Sequence, residues 1–245
     1  MMGMPIMVEV AESSVTRDDL GDVFAYFDYI DKKFSTYKEN SEISRINRGE
    51  ITESDYSEDM RTVLKLSAET KQVTHGYFDI RHNHRLDPSG LVKGWAIRNA
   101  AGILKDKGFK NYYVDAGGDI EIAGLNIEGE PWKVGIRNPF DRRENVKVLN
   151  LSNIGIATSG TTIRGQHIYD PTGKNKTLSE IVSITVIGPD VYEADRFATA
   201  AFAMQRAGIA FIETLPGFEG YQIDRKGIAT YTSKFNNYVI SPTLS

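Results

Sequence analysis

Between Asn111 and Gly188 the chain reads as a series of short strands, while its long helical patterns lie before and after that stretch. This order limits the fold more than any other feature. The strand patterns fall at about 111–124 (broken by Gly117-Gly118), 132–137, 146–151, 154–157 and 181–188, with an earlier one at Met4–Ala11. A helix opens at Thr16 with Asp18 and Asp19 in its first turn, and Leu20, Val23, Phe24, Phe27 and Ile30 keep the 3, 4 spacing of one apolar face. A second runs from about Ser57 to Val73, with Met60, Val63, Leu64 and Ala68 facing the core. A third, about 88–107, starts after Asp87 with Pro88 in its first turn and stops at Gly108. Two more are read at about 191–205 and 207–214, and the end is a hairpin turning at Arg225-Lys226-Gly227. Phe34–Asn47 reads as a polar loop or short helix, His75–Arg85 as irregular, and Thr158–Thr177 as a loop. Irregular alternation of this kind predicts one α+β unit over residues 1–245: mixed sheets, flanking helices and a ligand cleft between two lobes.

Composition narrows the functional classes. A net charge of −4 lacks the basic stripe a nucleic-acid protein needs to neutralise backbone phosphates. With no cysteine, the chain has no disulfide, no catalytic thiolate and no cysteine-linked lipid. No apolar run reaches the length of about 18 residues that a membrane span requires. Met1–Glu9 has no basic segment leading into an apolar one, so the chain as it stands reads as cytoplasmic, or as exported if a leader precedes it.

Four segments carry groups suited to chemistry. In Glu193–Thr199, Asp195 and Thr199 stand four apart and share a helix face. A carboxylate and a hydroxyl so placed suit magnesium, which takes oxygen ligands, and equally suit a plain surface hydrogen bond. Asp87–Gly94 (DPSGLVKG) opens a helix whose first N–H groups attract anions; Ser89 and Gly90 leave the backbone approachable and Lys93 adds charge, or the segment is simply a capped helix start. Val114–Asp119 runs a strand into paired glycines and an acid, bringing backbone close to a ligand or to a neighbouring strand. Thr158 and Ser159, followed by His167–Gly173, form a polar loop with an acid–base candidate at His167, or a turn built by Asp170 and Thr172. His82-Asn83-His84 lacks a third metal ligand nearby and reads as a solvated loop.

Taken in order, these segments and their neighbours resemble one family. Phe34–Tyr37 (FSTY) followed by Ser41–Asn47 (SEISRIN), Gly76–Asp79 (GYFD), Asp87–Ala96 (DPSGLVKGWA), Gly117–Asp119 (GGD), Pro131–Ile136 (PWKVGI), Ala157–Gly160 (ATSG), His167–Gly173 (HIYDPTG) and Glu193–Thr199 (EADRFAT) are similar to successive motifs of the ApbE type, the FAD:protein FMN transferases. Gly3 echoes a glycine near the family's opening, and the likeness covers nearly the whole chain. The chain departs from the pattern where only Ile80–Leu86 stands in place of a long insertion, where Ser89 and Val92 replace commoner glycine and alanine, and where Thr161–Gln166 is short.

The resemblance implies FAD in the cleft as substrate and Mg²⁺ on its diphosphate. It implies metal binding by the side chains of Asp195 and Thr199 and the carbonyl of Val92, with Asp195 also counted as catalytic and His167 as the general base. Ser41, Glu42, Ile43, Tyr77, Phe78, Asp79, Gly118 and Asp119 would line the flavin and adenosine sites, with Tyr37 near the flavin end. Ser89, Gly90, Lys93, Thr158 and Ser159 join that FAD-binding set. The implied acceptor is a threonine on a flavoprotein subunit of a redox complex, and AMP is released. Water in place of the threonine would make the chain an FAD pyrophosphatase; loss of turnover would make it an FAD-binding module.

Overall fold

The computed structural model describes residues 3–141, 143–161, 168–174 and 177–240. The elements run β1 (Ile6–Val10), α1 (Arg17–Phe34), α2 (Glu42–Asn47), α3 (Glu58–Val73), β2 (Arg81–His82), β3 (Arg85–Leu86), α4 (Ser89–Asp106), β4 (Tyr112–Ala116), β5 (Asp119–Ala123), β6 (Trp132–Arg137), β7 (Asn145–Leu151), β8 (Ile154–Gly160), β9 (Ile181–Gly188), α5 (Val191–Ala203), α6 (Gly208–Glu213), β10 (Glu219–Asp224) and β11 (Ala229–Tyr231). The α+β class and most expected boundaries hold. Local chemistry explains several: Thr16 and Asp19 close a reciprocal capping box on α1, and Asp87 Oδ1 accepts the Ser89 N–H at 3.0 Å where α4 begins.

The main sheet has seven strands in the order β1-β4-β5-β8-β9-β10-β11, and every described pairing is antiparallel. Side-chain alternation divides its faces. Tyr112, Val114 and Ala116 join a core with α1, α3 and α4, while Ala157, Ile184 and Val186 pack on Phe197 and Phe202 of α5. On the other face, Ile122, Ile156 and Ile187 meet Trp132, Leu149 and Leu151 of the β6–β7 hairpin and Phe235 of the C-terminal turn. Covered on both faces, β9 is buried nearly throughout, which is why it reads as an unbroken apolar run (IVSITVIG).

Two segments differ from the sequence reading, and in a third one of its two alternatives holds. β8 continues through the ATSG motif to Gly160 because its ladder with β9 extends to Gly160↔Ser183; a Cβ at Gly160 would lie 2.6 Å from the Val182 carbonyl. Of the two readings of Phe34–Asn47, the short helix holds at Glu42–Asn47, with Ser41 as its cap. The irregular stretch holds a small hairpin, β2–β3, turning at Asn83 and His84 with φ of 49° and 60°.

Candidate functional site

The site is built where α5 crosses α4, the two helices packed on the same face of the sheet. A Cβ at Gly94 would lie 2.7 Å from Asp195 Cβ and 2.8 Å from the Val191 carbonyl, so only glycine permits this approach. Contact at that crossing lets the Gly94 N–H donate to Asp195 Oδ2 at 2.8 Å. One turn further along α5, Thr199 packs on Gly90 and its hydroxyl donates to the Gly90 carbonyl at 3.3 Å. Ser159, on β8, brings its hydroxyl within 3.5 Å of that of Thr199.

Three ionisable groups meet behind this line. The Lys93 ammonium pairs with Asp119 Oδ2 and lies 3.4 Å from Asp195 Oδ1. Asp119 Oδ1 accepts the Thr158 N–H at 2.9 Å, tying β5 to β8. Both carboxylates are buried, at 1% and 2% exposure, so their charge rests on partners rather than water. Burial pushes the Asp195 carboxyl up; Lys93 opposes the rise and Asp119 adds to it. Asp115, anchored by the Gly118 N–H at 2.7 Å, is likewise raised by burial.

These groups face a cleft of about 430 Å³. Ser89, Gly90 and Lys93 line it from α4, Asp195 and Thr199 from α5, Thr158 and Ser159 from β8, and Gly118 from the β4–β5 turn. Tyr77, Phe78 and Asp79 form a further wall, where Tyr169 donates to the Asp79 carbonyl at 2.5 Å and stacks on His82. A second compartment of about 420 Å³ lies on the hairpin face of the sheet and shares Asp115, Gly117, Gly118, Arg137 and Thr158 with the first. Asp119 lines that second compartment.

Tyr37, Ser41, Glu42, Ile43 and Val92 of the expected set do not line this cleft, and Asp119 lines only the second compartment. Tyr37 is 96% exposed. Ser41 donates to the Ser35 carbonyl and accepts from the Ser44 N–H as cap of α2. Glu42 accepts from both the N–H and the hydroxyl of Ser57, at 2.7 Å each, and so fastens α2 to the start of α3. Ile43 is fully buried in the helical core. Helix capping and core packing give each residue of the SEI motif a structural role. Val92 buries its side chain in the same core. His167 lies outside the described residues.

The sequence reading singled out neither Asp115 nor Arg137, both of which line the cleft and the second compartment. The signal for Asp115 was present in VDAGGD, where an acid stands two residues before paired glycines. Arg137 had none, since it only follows the PWKVGI motif. Every cluster of described His, Asp and Glu falls short of three metal-ligating side chains, so a cation here would depend on hydroxyl and carbonyl oxygens as well.

The model of the ApbE family matches residues 2–84 and 81–221. A FAD:protein FMN transferase of Vibrio cholerae is 34% identical over 138 residues, 52% of this chain and 41% of that protein. One from Escherichia coli K12 is 29% identical over 168 residues, 64% of this chain and 48% of that protein, and one from Chlamydia muridarum is 27% identical over 81% of each. The chain thus spans about two fifths to a half of the length of the first two relatives in these alignments. Among solved structures, the flavin transferase ApbE from Vibrio cholerae superposes with a TM-score of 0.82 at 23% identity, covering 96% of each chain. The ApbE protein from Thermotoga maritima gives 0.85 at 21%, covering 98% of this chain and 97% of that one. The fold is shared with both.

Proposed function

This chain belongs to the ApbE family, and on that premise we propose that it transfers the FMN half of FAD to a threonine of an acceptor flavoprotein subunit of a redox complex, releasing AMP. The observation that carries this reading is the meeting of Asp195 and Thr199, one turn apart on α5, with the first turn of α4 and Lys93 in one cleft. Oxygen donors from a carboxylate and a hydroxyl beside a backbone carbonyl fit a hard divalent cation. Asp195 and Thr199, with the carbonyl of Val92 by family resemblance, would hold Mg²⁺. Bound there, the ion would neutralise charge on the diphosphate oxygens.

The chain's own groups supply the rest. At the start of α4 the Ser89 N–H is held by Asp87 and the Leu91 and Val92 N–H groups by the Pro88 carbonyl, so the positive end of the helix dipole, at Ser89 and Gly90 in the cleft wall, is what draws phosphate there. Lys93, fixed by Asp119, keeps a positive charge beside them. The acceptor threonine Oγ attacks the phosphorus on the FMN side. Its proton passes to His167, the new P–O bond forms, and the bond to the bridging oxygen breaks so that AMP leaves with that electron pair. Charge builds on phosphoryl oxygens throughout, which is why positioning and positive groups matter more here than a strong nucleophile.

The reading is tested by incubating the protein with FAD, Mg²⁺ and a peptide carrying the acceptor threonine. Covalently fluorescent peptide and an equal amount of AMP are expected. FMN and AMP released equally with and without peptide would replace transfer by hydrolysis, and FAD left intact would reduce the chain to a binder.

A further inference from the structure

We infer that Arg137 is a phosphate-gripping residue of this cleft, holding the dinucleotide's diphosphate from the β6 side; the inference rests on the reading that the cleft binds FAD.

Four observations converge on this side chain. Arg137 lines both the cleft and the second compartment, at the wall they share, where a ligand with a ring in each would carry its diphosphate. The β6–β7 register shifts between Ile136 and Arg137, and such a bulge re-aims the side chain that follows it. Among the described residues, Arg137 makes no ion pair or side-chain hydrogen bond; across the cleft its charge pulls the Asp115 carboxyl down against burial. Lys93, the other cation of the cleft wall, is held by Asp119 and Asp195.

The charge balance of the wall makes this arrangement matter. Its acids are Asp79, Asp87, Asp115 and Asp195, against Lys93 and Arg137. Lys71 answers Asp79 at 2.6 Å, and Asp87 accepts the Ser89 N–H where α4 begins. The remaining acids, Asp115 and Asp195, leave little net positive charge for a diphosphate arriving with two negative charges. A guanidinium with no committed partner among the described residues offers two parallel N–H donors, the geometry that phosphate oxygens accept best. Lysine, a point charge on a flexible stem, would reproduce only part of that contact.

The test compares the wild-type chain with Arg137→Gln and Arg137→Lys, each with Mg²⁺, for binding of FAD, ADP and riboflavin by fluorescence or calorimetry at two ionic strengths. Arg137 is exposed, so both variants are expected to melt with the wild type. The glutamine variant should bind FAD and ADP roughly tenfold to a hundredfold more weakly, as loss of a charged hydrogen bond implies. Riboflavin, which lacks phosphate, should change by no more than about twofold. Lysine should recover part of the loss, and the salt dependence of FAD binding should flatten in the glutamine variant. Unchanged FAD affinity, or an equal loss for riboflavin and FAD, overturns the inference while leaving the cleft's function intact. A wild-type chain that binds neither FAD nor ADP overturns the functional reading and this inference with it.

Discussion

Replacing Asp195 with asparagine removes one buried charge while leaving the side chain's volume almost unchanged, so its effects separate charge from packing. In the folded chain Asp195 Oδ2 accepts the Gly94 N–H at 2.8 Å, and Oδ1 faces the Lys93 ammonium at 3.4 Å. An amide can satisfy only one of these donors: its NH₂ group must point at the other. The unsatisfied contact costs about 1–3 kcal/mol. Breaking a buried pair outright costs about 3–5 kcal/mol, but Lys93 keeps Asp119, so the smaller range applies. For a chain of this size the melting temperature should fall by roughly 2–12 °C. Activity should suffer far more than stability, because the carboxylate is the only anionic ligand proposed for Mg²⁺. The assay is a magnesium titration of FAD-dependent FMN transfer on Asp195→Asn, with Asp195→Ala alongside it. Turnover is expected to vanish at Mg²⁺ levels that saturate the wild type. An asparagine variant that keeps its magnesium response within about threefold of wild type, a difference under 1 kcal/mol, would refute the metal assignment.

Three further outcomes are expected. Gly94→Ala would place a methyl 2.7 Å from Asp195 Cβ, so the α4–α5 crossing must open; overpacking of about 1–3 kcal/mol and a lower melting temperature should follow, and an unchanged melt would show the helices yield freely. Burial pushes Glu121 up to about 7 from an ordinary 4.5; the Val191 N–H and Arg98 oppose the rise and Asp190 adds to it. Its folded form therefore holds the proton more tightly, and stability should fall by roughly 3 kcal/mol as pH climbs through that window. Glu121→Gln, able to keep the Val191 contact, should flatten the change in melting temperature between pH 5 and pH 8, whereas parallel wild-type and variant profiles would contradict the burial argument. Glu42→Ala should strip the Ser57 N–H and hydroxyl of their acceptor at the N-cap of α3, costing about 1–3 kcal/mol of stability while FAD affinity holds; a tenfold loss of FAD binding would return Glu42 to the ligand site.

How far the sequence could be read depended on the range of each interaction. The α1 box at Thr16 and Asp19, the start of α4 at Asp87, and the shared face of Asp195 and Thr199 all involve residues within four positions of one another. Their hydrogen bonds and spacing are written locally, so the helices and the α5 half of the site were legible. The SEI motif was legible as important but not as to its purpose. Whether Glu42 faces a ligand or anchors the capping serine of α3 depends on a residue fifteen positions away.

By itself, then, the sequence determined the helices with their caps, the strand-rich middle, the α+β class and, by the order of its motifs, the family. The tertiary structure alone decided which charged groups meet. Lys93, Asp119 and Asp195 come from α4, β5 and α5, and they converge because β5 and β8 are neighbours in the sheet and α5 crosses α4 at a glycine. Asp115 and Arg137 meet only because the β6–β7 hairpin folds over the opposite face. Strand order and helix crossing are set by burying apolar faces across the whole chain, and no window of neighbouring residues records that sum.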